Sequence, residues 1–131
     1  MNKKTRSDLI AFRLGRAAEA FELAKISVSK GYWNSVASEL YYTCFYTITA
    51  LFAKYDIDVH THKGVKSIFS LEFIKQEKVD SKWGKLLNEL FDKRQDSDYG
   101  DFVTFKEEEL LPLVNHVEEF RKVINKLLET E

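Results

Sequence analysis

WNSVASELYYTCFYTITALFAK, residues 33–54, is the stretch that settles the fold. Ala37, Tyr41, Cys44, Ile48 and Leu51 recur at spacings of three and four, the period of a helix. Leu40, Phe45, Tyr46 and Phe52 fill the remaining faces, and after Glu39 no charge appears until Lys54. A helix that is apolar on nearly every face must be surrounded by protein. This segment is therefore expected to be the central helix of a bundle, part of a subunit interface, or both.

The flanking sequence supplies the helices that would surround it. Upstream, Ile10, Leu14, Ala17, Phe21, Ala24 and Val28 draw one apolar stripe through residues 7–30. Ser7 reads as the N-cap, with Asp8 favourable in the first turn, and Gly31 as the stop. Downstream, a polar connection over residues 55–64 carries His60 and His62. A shorter helix is expected over residues 65–76, burying Val65, Ile68, Phe69 and Phe73, and a fourth over residues 81–98, carrying Trp83, Leu86, Leu87, Leu90 and Phe91. Thr104-Phe105-Lys106-Glu107 matches a capping box for a last helix with Leu113, Val117, Phe120, Ile124 and Leu127 on its inner stripe. Pro112 removes a backbone donor and crowds the carbonyl four residues back, so a kink or short break is expected near Leu110.

Composition agrees with this pattern. With 131 residues, 44% hydrophobic and 14% aromatic, the chain has the bulk for one core and the length of one domain, residues 1–131. Five glycines and one proline are too few for the turns of an all-β design. The expectation is an all-α fold, a single up-and-down helical bundle of four to five helices.

Other classes fall away. A net charge of −1, from 20 basic and 21 acidic residues, gives no overall field toward nucleic acid or membrane. The start MNKKTR reads as a solvated terminus. Cys44 stands alone among apolar residues and reads as a small core side chain. The N-terminus lacks the apolar segment of a signal peptide, and the longest uncharged run, residues 40–53, is short of the roughly 20 residues a bilayer requires. The expected location is the cytoplasm.

The residue that points to chemistry is Arg94, which falls at the inward position after Trp83, Leu87 and Leu90. An arginine ending an apolar stripe must snorkel outward or meet an acidic partner. Asp98 lies at the helical spacing for that partner. Either the two merely finish the helix surface, or Arg94 lines a cleft and binds phosphate with its planar fork of donors.

Three segments carry a family resemblance. Ala37-Ser38-Glu39-Leu40-Tyr41-Tyr42-Thr43-Cys44-Phe45-Tyr46 resembles the paired tyrosines inside an apolar helix that mark one branch of the HEPN domains. His62-Lys63-Gly64 resembles the start of that branch's third helix, and Arg94-Gln95-Asp96-Ser97-Asp98-Tyr99 resembles its helix-four ending. The resemblance implies a helical bundle that dimerises with its helix-four motifs at a shared cleft. It implies RNA or a nucleotide as ligand, and a minimal nucleotidyltransferase antitoxin as partner. It further implies a metal-independent endoribonuclease, with Arg94, Asp98 and Tyr99 as catalytic candidates and Arg94, His62 and Lys63 as nucleotide- or RNA-binding candidates. No cofactor is implied.

The sequence departs from the family's signature, an arginine, then four to six residues, then histidine, because Tyr99 stands where histidine would. Tyrosine, with an ordinary pKa near 10, is a poor base at neutral pH but can donate a hydrogen bond. On an ideal helix Tyr99 also points about 140° away from Arg94. The two are expected to converge only where the helix ends or distorts near Gly100, or where two subunits share the site.

Among the other polar residues, His60 and His62 lack a third clustered ligand for a metal. They read as a cap, a solvated loop or part of the Arg94 cleft. His116, between apolar positions, reads as partly buried structure, and Glu107-Glu108-Glu109 as charge complementing a helix start. Two readings remain beside the RNA-directed one: a catalytically silent nucleotide-binding or protein-interaction module, and a plain helical dimer.

Overall fold

A computed structural model describes residues 2–130. It contains α1 (Lys3–Lys30), α2 (Trp33–Lys54), α3 (His62–Phe69), α4 (Ser81–Tyr99) and α5 (Glu107–Glu129), with α3 running straight into a π-helical turn, Ser70–Ile74. No strand occurs among the described residues. The fold is an all-α bundle.

The helix with the charge-free run is the centre of it. α2 packs against α1, α3, α4 and α5, and its residues Val36, Ala37, Leu40, Ile48, Ala50, Leu51 and Phe52 are completely inaccessible. Because one chain covers α2 this thoroughly, its hydrophobicity is accounted for without a second subunit; within residues 40–53 only Tyr42, Phe45 and Tyr46 keep a partly open edge. Cys44 is buried there as a small apolar side chain, its thiol pushed far up by desolvation. Below it a ladder of rings, Phe52 on Phe73, Phe73 on Phe69, and Phe69 edge-on to Phe120, joins α2, α3, the π turn and α5 at centroid separations of 5.9 Å.

Helix ends explain the connections. Gly31, at φ 72, adopts the left-handed conformation that closes α1, with its own N–H on Val28 O and the Tyr32 N–H on Ser27 O. This tight turn folds α2 back along α1. At the far end the Lys54 ammonium reaches Leu127 O at 2.6 Å and also Thr130 O, supplying a cation to the terminal carbonyls of α5.

Several local expectations are corrected. α1 starts a turn earlier than the sequence suggested: Asn2, not Ser7, is the N-cap, its side chain accepting from Thr5 N at 2.8 Å. Residues 3–6 are thus helix, residues 2–5 remain solvated as expected, and Arg6 pairs with Asp56 at 3.1 Å; Met1 lies outside the described residues. The box expected at Thr104–Glu107 is displaced by two residues. Lys106 is the N-cap, and the Glu109 carboxylate accepts from its N–H at 2.7 Å; a lysine side chain cannot reciprocate, so half the box forms. Because α5 starts at Glu107, Pro112 falls in its second turn, where its missing N–H costs one bond near the end, and the helix runs through it unbroken. His116 is exposed rather than partly buried.

Candidate functional site

Arg94 ends the buried stripe of α4 as its spacing predicts, and it is itself only 6% accessible. Its Nε donates to Asp98 Oδ2 at 3.2 Å, the i, i+4 pair read from the sequence. Asp98 is in turn fixed by Ser38 of α2, whose hydroxyl donates to Oδ1 at 3.0 Å. The terminal nitrogens of Arg94 make no hydrogen bond among the described residues, and its guanidinium lies 5.5 Å from the Tyr41 ring centre and 5.6 Å from that of Tyr42. The paired tyrosines of α2 therefore wall a position in which an arginine is held by its stem and its Nε while the donor fork stays uncommitted.

Tyr99 meets Arg94 in a way the sequence reading did not anticipate. α4 stays helical through Tyr99 and closes by the Gly100 N–H on Asp96 O at 2.9 Å. The helix neither ends nor distorts between the two residues, yet the guanidinium comes within 5.8 Å of the Tyr99 ring centre. Two long side chains make up the angular difference. Tyr99 remains 75% accessible, on the solvent side of the arginine.

The start of α3 closes the other side. Thr61 is its N-cap, accepting from Gly64 N at 3.0 Å. A Cβ on Gly64 would lie 2.6 Å from Thr61 Oγ1 and 2.7 Å from Val59 Cγ1, so this first turn packs where only glycine fits. That packing places His62 at the first helical position against α2, with Nδ1 2.8 Å from the Tyr41 hydroxyl and its ring centre 5.1 Å from that of Phe45. Burial foremost, and then the Arg94 charge, hold the imidazole below its ordinary pKa, with Asp98 opposing. The same burial pushes the Tyr41 phenol well above its usual range, so it stays neutral.

The structure thus gathers Arg94, Asp98, Tyr99 and His62 into one region and leaves Lys63 exposed, with no polar contact to it. His60 turns away and pairs with Asp58 at 2.6 Å. Ser38 was missed by sequence reasoning. Its signal was faint: a hydroxyl one turn before the tyrosine pair, beside Glu39. Asn34 was missed too. It receives Phe105 N at 3.0 Å and donates to Val103 O at 2.8 Å, tying the α4–α5 connection to the start of α2 beside the site.

Comparison with known proteins agrees with this arrangement. The HEPN domain family matches residues 10–127. The chain is 33% identical to a UPF0332 protein of Thermotoga maritima over 98% of its own length and 96% of that protein's. It is 30% identical over 94 residues, 72% of this chain and 64% of the relative, to a Methanocaldococcus jannaschii protein named "Putative toxin MJ0142". It is 26% identical to that organism's "Putative toxin MJ0605" over 98% of this chain and 94% of the relative. No helix among the described residues is long and apolar enough to cross a membrane. From a buried arginine on α4, facing paired tyrosines in the charge-free run of α2, to a family match spanning almost all of its helices, the chain belongs to the HEPN domain family.

Proposed function

We propose that this chain is a toxin-like protein directed at RNA, a metal-independent endoribonuclease that works as a homodimer and is held in check by a partner nucleotidyltransferase. The observation that carries the reading is the state of Arg94. A guanidinium that is almost wholly desolvated, pinned through Nε and left with an open fork of donors, suits a phosphate diester, because charge-assisted bidentate bonds strengthen as water is excluded. Such a group stabilises the charge that develops on phosphate oxygens during cleavage. Asp98 and Ser38 orient it, and the hydroxyl of the solvent-accessible Tyr99 donates to the ligand.

The two relatives named as toxins support the biological setting. A partner enzyme that added a nucleotide to Tyr99 would set bulky negative charge against Arg94 and block the phosphate position. The absence of histidine at position 99 favours one alternative, a site that binds a nucleotide without cutting.

Controlled expression in a bacterial host tests the proposal. The wild-type chain should arrest growth, Arg94→Ala should not, and co-expression of the cognate nucleotidyltransferase should relieve the arrest. Growth arrest by Arg94→Ala equal to wild type would remove the site from the account.

A further inference from the structure

Helix α4 offers no imidazole beside Arg94, but one from α3 reaches the same pair of tyrosine rings. The rings of His62 and Tyr41 lie 5.5 Å apart and those of His62 and Tyr42 6.0 Å apart, while the Arg94 guanidinium sits over the same two tyrosines. One pair of rings therefore forms a common wall for a cation and an imidazole supplied by different helices. Nδ1 is held at 2.8 Å by the Tyr41 hydroxyl, and Nε2 has no hydrogen-bond partner among the described residues. His62 is half-buried, whereas Tyr99 stands 75% accessible.

From this geometry we infer that His62, rather than Tyr99, is the proton-accepting group for cleavage at the Arg94 site, and that Tyr41 is its positioning residue; the inference rests on the RNA-cleaving reading above. With Nδ1–H donating to the Tyr41 oxygen, Nε2 carries the lone pair. It takes the proton from a ribose 2′-hydroxyl as the 2′-oxygen bonds to the adjacent phosphorus. The bond from phosphorus to the 5′-oxygen breaks, that oxygen takes a proton from water, and the imidazolium returns its proton to the hydroxide so formed. The products are a 2′,3′-cyclic phosphate and a 5′-hydroxyl. A phenol suits the positioning role because its oxygen accepts from Nδ1–H equally well when the ring is neutral or charged. The groups facing His62 are Tyr41 and Tyr42 from α2 and Arg94 and Asp98 from α4, with Lys63 and Lys66 on its own helix; burial and Arg94 favour the neutral, accepting form.

The test is the pH dependence of cleavage of a single-stranded fluorescent oligoribonucleotide by the purified full-length protein. Wild type should show a rate that rises with pH through an inflection below the ordinary histidine value near 6.5. His62→Gln should lose the inflection and about 100-fold or more in rate, the usual contribution of a positioned base. Tyr41→Phe, which keeps the ring, should retain the fold and displace the inflection. Full rate and an unchanged profile in His62→Gln, alongside an inactive Arg94→Ala, would overturn the inference and leave the functional reading standing. A wild-type protein that does not cut RNA would overturn both. Should His62→Gln fail to fold, Tyr41→Phe decides alone, an unmoved inflection counting against the assignment.

Discussion

Removing Asp98 should destabilise the protein more than removing the arginine it serves. Side-chain exposure is 7% for Arg94 and 32% for Asp98, at a separation of 3.2 Å. Exposed ion pairs contribute roughly 0–1 kcal/mol, whereas taking one partner from a fully buried pair costs about 3–5 kcal/mol. Asp98→Ala strands a desolvated guanidinium and also releases Ser38. With one partner buried and the other a third open, the loss should fall between those limits, at about 1–3 kcal/mol. Arg94→Met differs in kind. Methionine fills the volume of the arginine stem beside Leu90 and the tyrosine rings, and Asp98 can turn to water while keeping the Ser38 hydrogen bond. That change should stay within about 1 kcal/mol, as apolar replacement of buried charge commonly does. Urea denaturation followed by circular dichroism at neutral pH and low salt measures both. A loss for Arg94→Met equal to or larger than that for Asp98→Ala would refute the reasoning, because it would mean that the arginine serves the fold rather than the site.

Three further outcomes follow from the same structure. Leu87, 3% accessible on α4, should cost about 2–5 kcal/mol on truncation to alanine, while Lys106→Ala on the exposed side should stay within about 0.5 kcal/mol; equal shifts in denaturation midpoint would contradict the facing of these elements. Because His62 has a folded-state pKa below its ordinary value, its neutral form favours the folded state: that contribution is present above about pH 6.5 and fades as pH falls through the lower, folded value. Denaturation midpoints measured against pH should therefore fall less steeply in acid for His62→Gln than for wild type, and parallel curves would argue against the assigned environment. Light scattering at micromolar concentration should give twice the chain mass for the proposed homodimer, and a purely monomeric protein would exclude a site shared between subunits.

Where repetition along one element carried the information, the sequence was legible. The charge-free run of α2, the stripe of α1 and the inward fall of Arg94 after Leu90 are periodic signals, and they yielded the bundle, its centre and the arginine–aspartate pair. Helix ends were less legible because several residues can cap equally well. Asn2 competes with Ser7, and Glu109 closes on Lys106 rather than on a threonine. The least legible part was the contact between helices distant in sequence. Helical geometry alone set Tyr99 away from Arg94, and only the reach of both side chains brings them together. His62 could be found by resemblance, but its hydrogen bond to Tyr41 depends on the packing of α3 against α2, which no local pattern encodes.

The most direct test of the central claim is RNA cleavage by purified protein in the presence of chelator, comparing wild type with Arg94→Met, the substitution expected to preserve the fold. Wild type should cut single-stranded RNA to 2′,3′-cyclic phosphate and 5′-hydroxyl ends, and Arg94→Met, equally folded by circular dichroism, should be inactive. Cleavage by Arg94→Met at the wild-type rate, or none by wild type, would contradict the account.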